Sequence, residues 1–260
     1  MRLEYKYLIS NSILPHLRQD LLPYVDYDKH LDNGKQEYTV RSIYFDNRKL
    51  DYYYEKIEGI KVRKKLRIRG YNFVKGKNLV FLEIKKKCDN YIYKNRSPLH
   101  FEDLNQLFEC GDIEKFISEK YSNDQSIDDG KRFFYHFINK SLRPINLVVY
   151  DREAFTCKFD NRLRITFDKN LRHLPFPAVS DLYLDDYHLY KVLINHSILE
   201  IKFNKNKPVW LQNIITKYGL TRSSLSKYVI CLDDYSRRNP LGSNIRAAFT
   251  NYFLPHQSAS

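Results

Sequence analysis

The sequence predicts an α+β protein organised around an antiparallel sheet with one apolar and one densely charged face. Between Lys61 and Tyr71 the chain reads KVRKKLRIRGY, which sets Val62, Leu66 and Ile68 on one parity and Lys61, Arg63, Lys65, Arg67 and Arg69 on the other. Such period-two alternation marks a strand with one face in a core. Segments between Arg2 and Phe203 repeat the pattern, and helical segments interleave with them. The strands alternate instead of running continuously apolar as buried parallel strands do, so an antiparallel sheet is expected.

The elements follow in order. RLEYKYLI sets Glu4 and Lys6 against Leu3, Tyr5 and Tyr7. SNSILPHLRQDLLPYV has helical spacing, with Ser10 or Ser12 expected as its cap and Pro23 near its end. A loop at Asn33 and Gly34 leads to the strand EYTVRSIYFD, and NRKLDYYYEKIEGI reads as a short helix or turn closing at Gly59. Within it, Tyr52 to Tyr54 are read as packing residues. Strands at 61–71 and 79–88 flank a hairpin turn at Gly76, and the second sets Glu83, Lys85 and Lys87 against Val80, Leu82 and Ile84. GYNFVKGKN in that hairpin is not a phosphate-binding P-loop, because its spacer is one residue too long and Asn78 replaces the required Ser or Thr.

From Phe101 to Lys140 the spacing is helical and ends before Pro144. Strands resume at 146–155, 162–168 and 198–203. VVYDREAF places Tyr150 with Arg152, NRLRITFD places Arg162, Arg164, Thr166 and Asp168 together, and ILEIKF sets Glu200 and Lys202 against Leu199, Ile201 and Phe203. PVWLQNIITKYG, with Pro208 in the first turn and Gly219 at the C-cap, and SSLSKYVICLDDY are expected helices. Residues 1–236 read as one domain and 237–260 as a loosely held tail.

With 260 residues and 43% apolar content the chain can bury a substantial core, and its formal charge of +13 favours anionic partners. Cys88, Cys110, Cys157 and Cys231 form no CxxC pair, and the histidines show no metal-ligand spacing. No run is long enough to cross a bilayer and no apolar leader opens the chain, so a cytoplasmic protein is expected, with a membrane partner encoded elsewhere still compatible.

Like charges stacked along a strand repel unless an anion faces them. One such strand is readily explained as a solvated outer strand, and Lys61, Lys65, Lys86 and Lys87 are read as surface charges at strand ends. Repetition over several strands, with glutamates interleaved, favours a barrel with a polar lumen where a metal and a polyanion meet. Arg67, Arg69, Arg152 and Arg164 suit a bidentate phosphate cradle, with Lys6, Lys85, Lys202 and Lys227 as point charges. Glu200 is the first candidate ligand for a divalent ion, with Glu83 and Glu4 behind it. The same glutamates count against a polynucleotide cradle, so no nucleic-acid partner is expected.

The ordered series EYKYLI, VRSIYFD, YEKIEG with KVRKKLRIRGY, FLEIKKK with the later KNR, YDREAF, RITFD, LEIKF and SKY resembles the VTC domain. That domain is the polyphosphate polymerase module of the CYTH, or triphosphate tunnel metalloenzyme, superfamily. The resemblance covers about Arg2 to Tyr235 and, with no added regulatory domain or membrane span, is to stand-alone prokaryotic members. It implies an eight-stranded antiparallel β-barrel, or tunnel, with flanking helices. The implied enzyme moves the ATP γ-phosphate onto a growing polyphosphate chain with Mn2+ or Mg2+. Carried over by motif, Arg67, Arg69, Lys85, Arg164 and Lys227 are the implied catalytic cations. Lys6, Lys94, Tyr150, Arg152, Lys202 and Ser226 are the implied substrate contacts, and Glu200 the metal ligand. One departure tilts the expectation from hydrolysis to transfer: Arg2 stands where the superfamily's ExExK motif has its first glutamate. The alternatives are an inorganic or nucleoside triphosphatase on the same scaffold and a non-catalytic polyphosphate-binding module.

Overall fold

The computed structural model describes residues 2–28, 36–72, 78–88, 91–117, 123–204 and 206–239. The expected turns at Asn33–Gly34 and Gly76, and the tail beyond 239, lie outside the described residues. In chain order the elements are β1 (Arg2–Ser10), α1 (Leu14–Leu21), β2 (Val25–Tyr27), β3 (Tyr38–Asp46), α2 (Asp51–Ile57), β4 (Val62–Tyr71), β5 (Leu79–Cys88) and β6 (Tyr91–His100). There follow α3 (Leu104–Cys110), α4 (Ile113–Phe116), α5 (Asp124–Asn139), β7 (Arg143–Cys157), β8 (Arg164–Pro175), β9 (Tyr190–Lys191), β10 (His196–Asn204), α6 (Val209–Lys217) and α7 (Lys227–Arg238).

Eight strands form one antiparallel path, β1-β10-β8-β7-β3-β4-β5-β6, with β2 added to β7 and β9 to β8. The path curls into a half-barrel whose end strands β1 and β6 approach within 8 Å. Among the described residues no ladder joins them, so the observed sheet is curled and its two ends are not hydrogen-bonded to each other. Each free edge is bridged at one place, one way in which strand edges are kept from joining other chains. Tyr7 on β1 bridges to Arg222, and Ser223 N donates to Lys6 O at 2.8 Å; Leu99 on β6 bridges to Ile117.

The apolar parity of each strand faces outward, beneath helices. Leu66, Ile68, Val80, Leu82 and Ile84 are buried against Leu104 and Leu107 of α3 and Phe133 and Phe134 of α5. Tyr7, Ile9, Ile165, Phe167, Leu199 and Ile201 are buried against Leu14, Leu17 and Leu21 of α1 and Leu211, Ile214 and Ile215 of α6. Truncating such a residue to Ala costs about 2–5 kcal/mol. These two outer cores leave the charged parity no place but the concave side. Gly130 lets α5 seat closely on the sheet, since a Cβ there would meet Ile113 Cγ2 at 2.7 Å and Ser97 Oγ at 3.0 Å.

The third cluster is on the concave side. Val40 and Tyr44 of β3, Val148 and Tyr150 of β7 and Leu171 of β8 bury Tyr228, Val229, Cys231 and Leu232 of α7. A change of parity in β8 allows this: Asn170 takes φ 50°, beside a register shift in the β7 ladder. A left-handed residue there bulges the strand. Before it Arg164, Thr166 and Asp168 share a parity; after it Leu171 takes the apolar place against α7, and Arg172 turns to Asp151 and Asp186.

Several expectations change. The N-cap of α1 is Ile13 with no side-chain cap; the Ser10 and Ser12 hydroxyls bond each other at 2.7 Å. β6 carries no clean alternation because Tyr91, Tyr93 and Lys94 at its start are all exposed, and Pro98 is tolerated since the strand ends the path. β2 and β9, of three and two residues, are too short for periodicity to show.

His173, 0% exposed, clamps α7 to the sheet: Nδ1 lies 3.2 Å from Asn146 Oδ1 and Nε2 3.1 Å from Asp234 Oδ2. Burial pushes its pKa below the ordinary 6.5, against the raising effect of Asp234. A histidine held neutral on folding contributes stability fully present above its unfolded pKa and lost as pH falls through the lower folded value. Thermal melts are therefore expected to show the wild type losing stability relative to His173→Gln as pH drops below about 6.5.

Candidate functional site

The concave side holds a cavity of about 440 Å³, within the size range of small-ligand sites. Twelve Lys and Arg side chains line it against two carboxylates, Glu4 and Glu200. Alternation brings most of them there: Glu4 and Lys6 from β1, Arg63, Lys65, Arg67 and Arg69 from β4, Lys85 and Lys87 from β5, Tyr150 and Arg152 from β7, and Glu200 and Lys202 from β10, while Lys56, Arg222 and Lys227 come from outside the strands. The segment 222–226 crosses from the β1 edge to the far wall, where Lys56 Nζ donates to Ser224 Oγ at 2.6 Å and Lys65 Nζ to Ser226 Oγ at 2.7 Å. Ser226 also caps α7, so the same residue starts the helix and touches the cavity lysine.

Buried carboxylates make this crowding tolerable, since an unpaired buried charge costs several kcal/mol. Glu83, fully buried on β5, accepts from Arg67 Nε at 2.8 Å and pairs with Lys94 at 2.7 Å, Arg96 at 3.4 Å and Arg69 at 3.9 Å. Asp168 on β8 takes both arms of Arg152, at 2.6 and 2.8 Å, and the Lys227 ammonium. Glu200 pairs with Lys202 and, at 3.4 Å, with Lys6; Glu4 pairs with Lys6 at 3.2 Å and across the cavity with Lys85 at 3.1 Å.

The same contacts set the protonation states. Burial opposes charge on Glu200, but Lys202 and Lys6 hold its carboxyl well below the usual range. Burial likewise opposes charge on Arg152, and Asp168 and Tyr150 more than reverse this. Lys65 is the opposite case: burial and then its cationic neighbours Lys6 and Lys85 push it well below the ordinary lysine value.

Of the residues singled out by sequence, Lys6, Arg67, Arg69, Lys85, Tyr150, Arg152, Glu200, Lys202, Ser226 and Lys227 line one cavity. Two do not. Arg164 is held by Asp28, and Lys94 reaches the Glu83 carboxylate behind the wall. Glu83, a reserve metal candidate, is instead an internal counterion with no exposed surface. Lys65 and Lys87, read as surface charges, line the cavity. Tyr44, Lys56, Arg63 and Arg222 were not singled out; Arg63 and Lys65 continue the parity of Arg67, which was the available signal, whereas Lys56 and Arg222 lie outside the sheet and give none.

Among the described residues no three His, Cys, Asp or Glu side chains converge as a cation site. Glu200 and Glu4 therefore fit a hard divalent ion only if it draws most of its oxygens from phosphate and water, as Mg2+ commonly does. No helix among the described residues is long and apolar enough to cross a membrane.

The chain is similar to vacuolar transporter chaperone complex subunit 4 of Schizosaccharomyces pombe, at 23% identity over 232 residues, covering 76% of this chain and 32% of that protein. It is similar to vacuolar transporter chaperone complex subunit 2 of Saccharomyces cerevisiae at 24% identity over 158 residues, covering 51% of this chain and 18% of that protein. The chain thus spans about a third or less of the length of these relatives. A solved structure of the PH1819 protein from Pyrococcus horikoshii OT3 aligns with TM-score 0.45 and 13% identity, over 88% of this chain and 97% of that one. The VTC domain matches residues 1–234, nearly the whole sequence and every element that lines the cavity, and the chain belongs to the VTC domain family.

Proposed function

We propose that the protein is a metal-dependent polyphosphate polymerase that transfers the γ-phosphoryl group of ATP to a polyphosphate chain within this cavity. The observation that carries the reading is the excess of cations over carboxylates on a concave, half-enclosed wall. That excess asks for a small ligand of high charge density. A linear phosphate chain supplies it with oxygens that guanidinium groups grip in pairs. VTC family membership supports the same class of substrate.

In this reading the terminal oxygen of the acceptor chain attacks the γ-phosphorus, the bond to the β–γ bridging oxygen breaks, and ADP leaves as one phosphoanhydride replaces another. Such transfer needs positioning and charge neutralisation more than covalent chemistry from the protein. Arg67 and Arg69, steadied by Glu83, and Arg152 and Lys227, steadied by Asp168, are preorganised donors. Lys6, Lys85 and Lys202 would exchange their carboxylate partners for phosphate oxygens, releasing Glu200 and Glu4 towards a cation. Bound Mn2+ or Mg2+ would supply neutralisation of charge on the phosphates. The segment 222–226 and the approach of β1 to β6 support a tunnel-like enclosure around the chain. The relatives' names speak of subunits of a complex, which supports a protein partner, membrane-bound or otherwise, for this chain.

Incubation with Mn2+ and γ-labelled ATP is expected to give labelled polymer and ADP; orthophosphate as the sole product would reassign the chain to triphosphate hydrolysis. Glu200→Gln is expected to abolish turnover while tripolyphosphate still binds by calorimetry, and normal turnover would remove Glu200 from the site. Arg67→Ala is expected to weaken tripolyphosphate binding by about 1.5–3 kcal/mol, the worth of one charge-assisted hydrogen bond, and unchanged affinity would remove it from the cradle.

A further inference from the structure

The twelve cations of the cavity fall into two groups. Seven of them have a carboxylate partner on or behind the wall: Lys6, Lys85 and Lys202 with Glu4 and Glu200, Arg67 and Arg69 with Glu83, Arg152 and Lys227 with Asp168. The other five, Lys56, Arg63, Lys65, Lys87 and Arg222, have no ion pair among the described residues. They are not scattered. Arg63 and Lys87 face each other directly across β4 and β5, and Lys65 faces Lys85 one step further in. Lys56 reaches Ser224, two residues from Arg222, whose guanidinium lies 3.9 Å from the Tyr5 ring centroid. Arg222 and Ser224 are exposed and Lys56, Arg63 and Lys87 half-buried, so these four cations form the mouth of the cavity and Lys65 joins them to the inner wall.

Directly opposed like charges destabilise a sheet, and among the described residues no carboxylate forms an ion pair with either of them; Glu4 favours the charge on Lys87 only from beyond ion-pair distance. Burial and then cationic neighbours push Lys56 and Lys87 below the ordinary lysine value: Arg63 is the foremost such neighbour of both. The wall inside is different, since there each cation already has a carboxylate partner, if a shared one, and a phosphate must compete with it. At the mouth an anion displaces no ion pair among the described residues.

We propose that Lys56, Arg63, Lys65, Lys87 and Arg222 form a second anion subsite, which holds the phosphates of a linear inorganic polyphosphate beyond those gripped by the inner wall. The subsite rests on the phosphate-chain reading of the cavity and adds a length preference to it. A short chain fills the inner wall and leaves the mouth empty. A long chain occupies both, continuing outward over Arg63 and Lys87 beneath the 222–226 segment. Its added contacts are charge-assisted and screened by salt.

Calorimetric titration of the intact protein with sodium tripolyphosphate and with long-chain inorganic polyphosphate tests this without any turnover. The wild type is expected to bind the long chain more tightly by about tenfold or more. In Lys56→Gln/Arg63→Gln/Lys87→Gln that preference is expected to disappear, while tripolyphosphate affinity stays within about twofold. Arg222→Gln, at an exposed side chain outside the strands, is expected to move the long-chain affinity in the same direction by less. Equal losses for both ligands in Arg222→Gln, or an unchanged length preference in the triple variant, would overturn the subsite. Absence of polymer from ATP would instead remove the polymerase reading and leave the length preference standing, so the two failures are told apart.

Discussion

Crowding of positive charge on the concave face of a curled sheet is the constraint from which the rest of this structure follows. A sheet normally hides its apolar face inside and shows its polar face to water. Here the apolar faces look outward and are buried by α1 and α6 on one flank and α3 to α5 on the other. The charged faces are consequently turned towards one another across the cavity. They are stable there because Glu83 and Asp168 stand behind the arginines, and Glu4 and Glu200 among the lysines.

Those carboxylates also determine which cations are rigid and which are available. Arg152 is fixed at both arms by Asp168, and Arg67 is fixed by Glu83 and by Tyr44, whose hydroxyl it reaches at 3.0 Å. Paired guanidinium groups of this kind lose little freedom when a ligand arrives, which favours affinity. The lysines near Glu4 and Glu200 are single-point charges on flexible stems, and they suit a rearrangement in which phosphate and cation separate the present pairs. Helix α7 links these behaviours. Its cap Ser226 touches Lys65, its first residue Lys227 meets Asp168, and its buried face is locked by Tyr228 on Asp46 and by His173 on Asp234.

Much of this was legible in the sequence, for identifiable reasons. The period-two pattern of β4, β5, β8 and β10 assigned Arg67, Arg69, Glu83, Lys85, Glu200 and Lys202 to a common class of face, because a strand cannot rotate one residue without inverting all. Lys65 and Lys87 shared that parity, yet looked like strand-end surface charges since nothing in a single strand tells how far the partner walls extend. Arg164 shared it too, but Asp28, from the segment after β2, captures its guanidinium; a pairing between residues 136 positions apart leaves no trace in local pattern.

The sequence by itself determined the alternation, the antiparallel sheet, the helical segments and the type of chemistry the charged faces invite, because these depend on residue order within a few positions. Tertiary structure alone decided that the sheet curls with no β1–β6 ladder among the described residues, that segment 222–226 spans the gap, and that Asn170 inverts β8 to admit α7. It alone decided which cation meets which carboxylate. Charge pairing acts over a few ångströms in space, and the distance between two charges along the chain says nothing about that separation.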